Sequence, residues 1–260
     1  MCCFSPVTPS HGFLARILGR SPRLHVAHTN IFARKLDTAR QLLVYSMDLD
    51  ANGELAMLLP IPVDPTAGER GVEFVNLESH PNFFRSLESL FVPPNASRSR
   101  SPSQGASLAV HTVGAFEASF VPTPKEFARL DVRFRLPEGI WQQLGEYHDW
   151  GFAVFRLAPG GKKTIHPMAF TFRTRDPLRL FFPTVHVHDG RVHTTATFDH
   201  ALYYQGDTDE HDERSVRALT PETLPHVDPL APVFLRRLRG SLPNRDTWVP
   251  LTPQIERTAS

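Results

Sequence analysis

The sequence predicts an α+β fold, predominantly antiparallel β-sheet with four or five short helices, within a single domain of 260 residues. Two observations support this class. Prolines are abundant, 24 in all, and they disfavour long helices because proline lacks the backbone N–H that a helix needs. Short apolar segments bounded by turn residues recur along the chain, which is typical of strands and short helices.

The part of the chain before residue 92 predicts three strands and a helix. NIFARKL and RQLLVYSMDL are predicted strands, with LDTAR as the turn between them. ELAMLLPIPV is mostly apolar and ends in Pro-x-Pro, as a buried strand does where proline removes the hydrogen-bond donor. A helix should begin at His80-Pro81. Its apolar positions follow helical spacing: Phe83, Phe84, Leu87, Leu90 and Phe91.

A segment rich in Pro, Ser and Arg interrupts the predicted domain at residues 92–107. Its sequence, VPPNASRSRSPSQGAS, has few side chains that a core could bury. The composition therefore predicts a disordered linker or a long surface loop.

The part of the chain after the linker predicts further strands and three helices. SLAVHTVGAFEASFV, GFAVFRLAP, HPMAFTFRT and LRLFFPT are the predicted strands. Thr123-Pro124-Lys125-Glu126 has the capping-box pattern, which predicts a short helix through Leu130. PEGIWQQLGEYHDW is a second predicted helix. The terminal segment PLAPVFLRRLRGSLP predicts an amphipathic helix that stops at Gly240.

Three histidines in FFPTVHVHDGRVHTTATFDH give the leading functional prediction. Asp189-Gly190 is the dipeptide most typical of a two-residue type I′ hairpin loop. In such a hairpin His186 lies opposite His193. His186, His188 and His193 then project from one face, because side chains alternate along a strand. Opposed Cβ atoms lie roughly 5 Å apart, so the imidazoles could bind one transition metal ion: zinc, copper or iron.

A three-histidine site leaves a coordination position open, as catalytic zinc sites do. The leading prediction is therefore a metal-dependent enzyme, a hydrolase or an oxidoreductase, acting on a small molecule or a peptide. Alternation along the strand places Asp199 on the face of His193, where it could orient a bound imidazole, and His200 on the opposite face. The competing interpretation is an exposed polar face over a valine-lined buried face, since histidine is common here, 13 of 260 residues.

Cys2 and Cys3, the chain's two cysteines, are candidate catalytic residues. If Met1 is removed, the α-amine of Cys2 has a near-neutral pKa and can act as the base for its own thiol. Glutamine amidotransferases of the N-terminal nucleophile hydrolase group are similar in beginning Met-Cys, but their glycine-rich continuation is absent here. An N-terminal cysteine amidohydrolase is an alternative function. Either cysteine could instead be a further ligand or redox partner at the histidine site.

A noncatalytic binding domain is the remaining alternative. It would use the hairpin and the basic segment containing Arg236, Arg237 and Arg239 as a partner surface. The formal net charge of +1 favours no nucleic-acid partner. No apolar run is long enough to span a bilayer, and MCCFSPVTPS lacks the features of a secretory signal. A cytoplasmic location without membrane attachment is therefore expected.

Five segments together resemble a bacterial family of uncharacterised proteins, a domain of unknown function. They are CCFS, MLLPIPV (Met57–Val63), HTVGAFEASFV (His111–Val121), LGEYHDWGFAVFRL (Leu144–Leu157) and HPMAFTF (His166–Phe172). The resemblance covers about two thirds of the chain. It implies shared structural motifs but no activity and no functional residue, because that family has no established activity. Members of the family are often exported, whereas no leader is evident in this sequence.

Overall fold

The computed structural model describes residues 3–6, 24–51, 55–91, 117–129, 145–157, 161–165, 167–187, 191–206, 208, 215–218 and 224–252. Strands form most of this part of the chain. Its α-helical content is the single helix α1 (Phe83–Ser89), and the other helical segments are short 3-10 turns at Pro65–Gly71, Pro124–Arg129 and Gly145–Tyr147. The predicted α+β fold with four or five helices is therefore wrong, because the described chain is mainly β-sheet.

Fourteen strands lie within the described residues. In chain order they are β1 (Cys3–Pro6), β2 (Leu24–Lys35), β3 (Arg40–Ala51), β4 (Leu55–Ile61), β5 (Val72–Val75), β6 (Glu117–Val121), β7 (Gly151–Leu157), β8 (Gly161–Thr164), β9 (Met168–Arg173), β10 (Arg179–Phe182), β11 (Thr195–Gln205), β12 (Ser215–Ala218), β13 (Val233–Pro243) and β14 (Thr247–Pro250).

The strands form one large sheet and two smaller ones. The large sheet has the order β12-β13-β11-β2-β3-β9-β5, and β8 also pairs with β3. A second sheet has the order β1-β4-β7-β6, and β10 pairs with β14. Every described pairing is antiparallel except that between β11 and β2, which is parallel. This one parallel pairing borders the candidate site described below.

The main core contains buried side chains from both of the larger sheets. Tyr45 and Phe170 contribute from the large sheet, and Met57 and Phe155 from the second sheet. Alternate residues of β4 face opposite ways: Leu55, Met57 and Leu59 join this core, whereas Ala56 and Leu58 join a second cluster with Val185 and Val187. Because β4 is buried on both faces, its sequence is a continuous apolar run, as predicted.

The predicted helix after His80-Pro81 is confirmed as α1. Its residues Phe83, Phe84 and Leu87 are buried in a third cluster together with Phe32 of β2 and Tyr203 of β11. The Phe83 ring meets that of Phe32 edge-on, with ring centroids 5.7 Å apart. The helix is therefore held by packing on the large sheet, which a helix of its length requires in water.

Three further predictions have mixed outcomes. The capping-box segment forms a 3-10 helix, Pro124–Arg129. Of the predicted second helix, Gly145–Tyr147 is a 3-10 turn and the residues before 145 lie outside the described part. The linker at 92–107 also lies outside it. None of the described helices reaches the length and apolarity that crossing a membrane requires.

The predicted C-terminal amphipathic helix is wrong, because this segment forms β13. β13 pairs with β11 along its length, from Thr195↔Pro243 to Tyr204↔Phe234, and with β12 on its other edge. Gly240 does adopt a positive φ of 78°, but it does so inside the strand rather than after a helix. The arginines of this segment consequently lie on a strand of the large sheet.

Candidate functional site

The two segments predicted to form the histidine hairpin do not pair with each other in the described structure. β10 ends at Phe182 and β11 begins at Thr195, and no ladder joins residues 183–187 to residues 191–194 among the described residues. The predicted turn residues Asp189 and Gly190 lie outside the described part, as does His188. The predicted register is therefore wrong for the described segments on either side of the turn.

The side chain of Asn244 forms hydrogen bonds with both of the segments that the predicted hairpin would pair directly with each other. The backbone N–H of His186 donates to Asn244 Oδ1 at 2.7 Å. Asn244 Nδ2 donates to the carbonyl oxygens of both His186 and His193, each at 2.9 Å. One side-chain amide thus joins the two segments, so that they approach the same site without forming a hairpin ladder.

Asp246 provides a second side-chain anchor for the same segment. Its Oδ1 accepts from the backbone N–H groups of Thr184 at 2.7 Å and Val185 at 3.0 Å. Its Oδ2 accepts from the Tyr147 hydroxyl at 2.7 Å. Burial raises the pKa of Asp246 to about 6, because the loss of hydration outweighs the three donors that favour the carboxylate.

His186 packs into an aromatic cluster on the buried face of β11. Its ring stacks on that of His200, with centroids 5.2 Å apart and planes 24° apart. The centroid of the Phe198 ring lies 4.4 Å from the centroid of the His186 ring. The predicted alternation of β11 is confirmed, because Phe198 and His200 are buried whereas Thr197 and Asp199 are exposed.

The predicted metal centre is wrong for the residues that the structure describes. Within them, no group of three or more histidine, cysteine, aspartate or glutamate side chains is arranged to hold a metal ion. His186 is buried against aromatic rings, whereas His193 is exposed. Asn244 joins these two residues through their backbones, whereas the ring of His186 stacks on that of His200.

The candidate cysteines are placed only in part. Cys3 lies in β1 and pairs with Leu58 of β4, in the second sheet, whereas Cys2 lies outside the described residues. The N-terminal nucleophile therefore stays a prediction. Leu58, the partner of Cys3, packs in the same cluster as Val185 and Val187, the neighbours of His186 in sequence.

A cavity of about 550 Å³ lies where β2 and β11 separate. It brings together His186, His193 and Asn244 with two stretches of strand. Its lining residues are Leu24, His25, Val26, Ala27, Thr29, His186, His193, Thr195, Ala196, Thr197, Asp199 and Asn244. A volume of this size is in the range of small-molecule and short-peptide sites, about 300–1,000 Å³.

A β-bulge in β2 marks the point at which the two strands part. The register with β3 passes from Ala27↔Asp48 to Asn30↔Ser46, which leaves one extra residue on β2. His28, at the bulge, has a φ of 48°, in the left-handed region that non-glycine residues rarely adopt. The parallel pairing with β11 begins just beyond it, at His200↔Thr29.

Two carboxylates hold the bulge in place. The backbone N–H of His28 donates to Asp199 Oδ2 at 3.2 Å. Its ring Nδ1 lies 2.9 Å from Asp48 Oδ2, and Asp48 Oδ1 accepts from Thr164 Oγ1 at 2.6 Å. Asp199 Oδ2 also lies 3.7 Å from Nε2 of the His28 ring, and His28 was not among the predicted metal ligands.

Thr29 supplies a buried polar group to the wall of the cavity. Its residue exposure is 1%, and its hydroxyl has no hydrogen-bond partner among the described residues. Leaving a buried hydroxyl without a partner costs on the order of 1–3 kcal/mol. A bound molecule that hydrogen-bonds Thr29 Oγ1 would recover that cost.

Comparison with known proteins gives a likeness of fold. Neither a protein-family model nor a curated protein sequence matches the chain. The crystal structure of baculovirus P35 matches with a TM-score of 0.50 at 12% identity, over 89% of this chain and 98% of that chain. At this identity the match shows a shared fold and leaves the function open.

Two other solved structures of P35 also match, at lower scores. A mutated baculovirus P35 after caspase cleavage has a TM-score of 0.47 at 12% identity, over 86% of this chain and 99% of that chain. P35 in the caspase-8/P35 complex has a TM-score of 0.42 at 12% identity, over 86% and 96% of the respective chains. The likeness of fold rests on the first of these structures, which matches 89% of this chain and 98% of P35.

Proposed function

We propose that this chain is a noncatalytic protein-binding domain. The observation that carries the proposal is the fold likeness to baculovirus P35, which extends over 89% of this chain and 98% of P35. P35 is the protein seen in a complex with caspase-8 and in a form cleaved by a caspase. A caspase-class protease is therefore the first partner to test.

The geometry of the cavity suits a segment of a partner protein. Stretches of β2 and β11 border it, and half-buried apolar side chains such as Val26 and Ala196 form part of its walls. Its titratable side chains include His25, His193 and Asp199, which are exposed and can meet polar groups of the partner. Such walls suit the burial of a partner's segment.

The experiment is a titration of purified caspase-8 with the purified chain. Residual activity is followed with a fluorogenic peptide substrate, and binding is measured in parallel by surface plasmon resonance. We expect saturable binding and a loss of protease activity that follows the concentration of the chain. An unrelated β-sheet protein of similar size is the control. Undiminished activity and no binding at about 10 µM chain, enough to populate a micromolar complex, would exclude caspase-8 as the partner.

Other caspases extend the test to the class. Each is titrated in the same way, and intact-mass spectra before and after mixing record whether the chain is cleaved. Binding to at least one of them supports the proposal, whether or not cleavage accompanies it. A set of caspases that all fail to bind would overturn the proposed partner class.

A further inference from the structure

We infer that the gap between β2 and β11 accepts an extended segment of a partner protein as an added strand, with a basic side chain between apolar ones. We call this gap the slot, and its edges are residues 24–27 of β2 and residues 195–198 of β11; the hydrogen bond from His28 N–H to Asp199 Oδ2 closes its end. The inference rests on the proposed function, because it names the kind of segment that a protein-binding domain takes.

Both edges of the slot have open hydrogen-bonding sides. β2 pairs with β3 on its outer side, from Leu24↔Ala51 to Ala27↔Asp48, and β11 pairs with β13 from Thr195↔Pro243 to Asp199↔Arg239. On the side of each edge that faces the slot, no described strand is paired; the pairing of β2 with β11 begins only at Thr29↔His200. Backbone N–H and C=O groups alternate in direction along a strand, so about half of those on each edge face the slot. Such edges bind an extended chain through its main-chain groups.

The lining of the cavity follows both strand edges. Leu24, His25, Val26 and Ala27 all line it, as do Thr195, Ala196 and Thr197. Side chains of consecutive residues point to opposite faces of a sheet, so a cavity lined by consecutive residues is bordered by the strand edge itself. The four residues of each edge span roughly 13 Å, the length of a four-residue strand.

Thr29 marks the end of the slot and offers it a polar group. Its buried hydroxyl, without a hydrogen-bond partner among the described residues, lines the cavity at the first β2–β11 pair. A hydroxyl can donate to a carbonyl or accept from an N–H. The last peptide group of an inserted strand would therefore find a partner in Thr29 Oγ1.

The side chains around the slot define the sequence of the occupant. Leu24, Val26 and Ala196 are half-buried against the main core, so an inserted strand would add apolar side chains to the same layer. On the solvent face, Asp199 is the one carboxylate among the described residues that line the cavity, and these include no lysine or arginine. An occupant whose side chains alternate between apolar and basic would place its apolar side chains on the core face and a basic side chain near Asp199 on the solvent face.

The first test uses the full chain and two synthetic peptides, Ac-Val-Arg-Val-Arg-Val-NH2 and Ac-Val-Glu-Val-Glu-Val-NH2. Calorimetry should show binding of the basic peptide, with the acidic peptide at least about fivefold weaker. An N-methylated form of the basic peptide, which has lost main-chain donors, should bind weakly or not at all. Absence of binding by the basic peptide, or equal binding of all three, would overturn the inference.

Hydrogen exchange locates the bound peptide. In the free chain we expect about half of the amides in 24–27 and 195–198 to exchange rapidly, because they face the slot. The basic peptide should slow exchange in both stretches together. Protection of both edges before the peptide is added, or protection elsewhere after it is added, would show that the slot is not the peptide site.

Two variants give the site its chemical test. Thr29→Val removes the hydroxyl while keeping the shape, and should weaken peptide binding about three- to tenfold without lowering the melting temperature. Asp199→Asn keeps an acceptor for the His28 N–H but removes the charge, and should erase the preference for the basic peptide. Glu73→Gln, an exposed carboxylate on the edge strand β5 of the same sheet, is the matched control.

The outcomes separate this inference from the proposed function. Wild-type peptide affinity in both Thr29→Val and Asp199→Asn would overturn the slot, and caspase binding by the same proteins would leave the proposed function standing. Conversely, peptide binding that follows the variants as expected, without binding to any caspase, would keep the slot and reject only the proposed partner.

Discussion

Asn244 forms hydrogen bonds with both backbone polar groups of His186, accepting from its N–H at 2.7 Å and donating to its carbonyl oxygen at 2.9 Å. The same side chain donates to the carbonyl of His193. An asparagine amide can serve a peptide group in this way because it carries a donor and an acceptor side by side, as a neighbouring strand does. The segment after β10 is thereby fixed beside the cavity.

Replacement of Asn244 by alanine should therefore destabilise the protein substantially. Asn244→Ala removes three hydrogen bonds and leaves the backbone groups of the buried His186 without these partners, so we expect a loss of about 2–3 kcal/mol in the free energy of unfolding. Urea denaturation measures this change. Asn76→Ala, which removes a single bond from an exposed turn, is the control and should cost less than about 1 kcal/mol. Equal losses would contradict the anchoring role of Asn244.

Asp246 should make stability depend on pH between about 4 and 6. Its pKa is raised from 3.8 to about 6, so in this interval the folded state binds more protons than the unfolded state. The contribution of Asp246 to stability therefore falls as pH rises through this range, by up to about 3 kcal/mol. Asp246→Asn, which stays neutral, should gain stability relative to wild type as pH rises from 4 to 7.

Denaturation of both proteins at a series of pH values measures the difference. A difference that stays constant from pH 4 to 7 would contradict the raised pKa. Tyr147→Phe gives an independent check, because the Tyr147 hydroxyl donates to the carboxylate and lowers its pKa. Its removal should shift the transition to higher pH.

Gly151 should not tolerate a side chain. A Cβ at this position would lie 2.6 Å from Cε2 and 2.8 Å from Cζ of Phe120. Overpacking of this kind costs about 1–3 kcal/mol, so Gly151→Ala should lower the free energy of unfolding by that amount. Adding Phe120→Leu should recover part of the loss by removing the ring atoms that clash.

Gly145 is the matched control for this prediction. Among the described residues, a Cβ there would meet nothing within 4 Å. Gly145→Ala should therefore change stability by less than about 0.5 kcal/mol in the same denaturation assay. Similar losses for the two glycine variants would argue against close packing of β6 on the start of β7.

Local sequence patterns predict the elements whose environment is simple. The apolar run around Met57 correctly predicts a buried strand. Both faces of β4 pack in the core, so the strand needs no polar face and its sequence is apolar throughout. The spacing of Phe83, Phe84 and Leu87 predicts α1 correctly, because this helix buries one side on a sheet.

The segment from Val233 to Gly240 shows why other elements were predicted incorrectly. Its buried residues include Val233, Leu235 and Leu238, whose spacing contains both a strand-like step of two and a helix-like step of three. The partner strands β11 and β12 decide the outcome, and neither can be inferred from the segment itself.

The candidate site depends on contacts that no local pattern reveals. Asn244 lies 58 positions from His186, and the His28–Asp199 contact spans 171 positions. Asp189-Gly190 is a strong local hairpin signal, but the described segments beside it are anchored by Asn244 and Asp246. Alternation along β11 correctly predicts the faces of Asp199 and His200, while the stacking of His200 on His186 becomes apparent only in the fold.

Size-exclusion chromatography with light scattering tests the proposed binding through the mass of the species that forms when the purified chain is mixed with caspase-8. We expect a discrete peak whose mass equals that of the protease plus bound copies of the chain, at the expense of the free components. Two unchanged peaks for the separate proteins, with the same outcome for other caspases, would rule the proposed binding out.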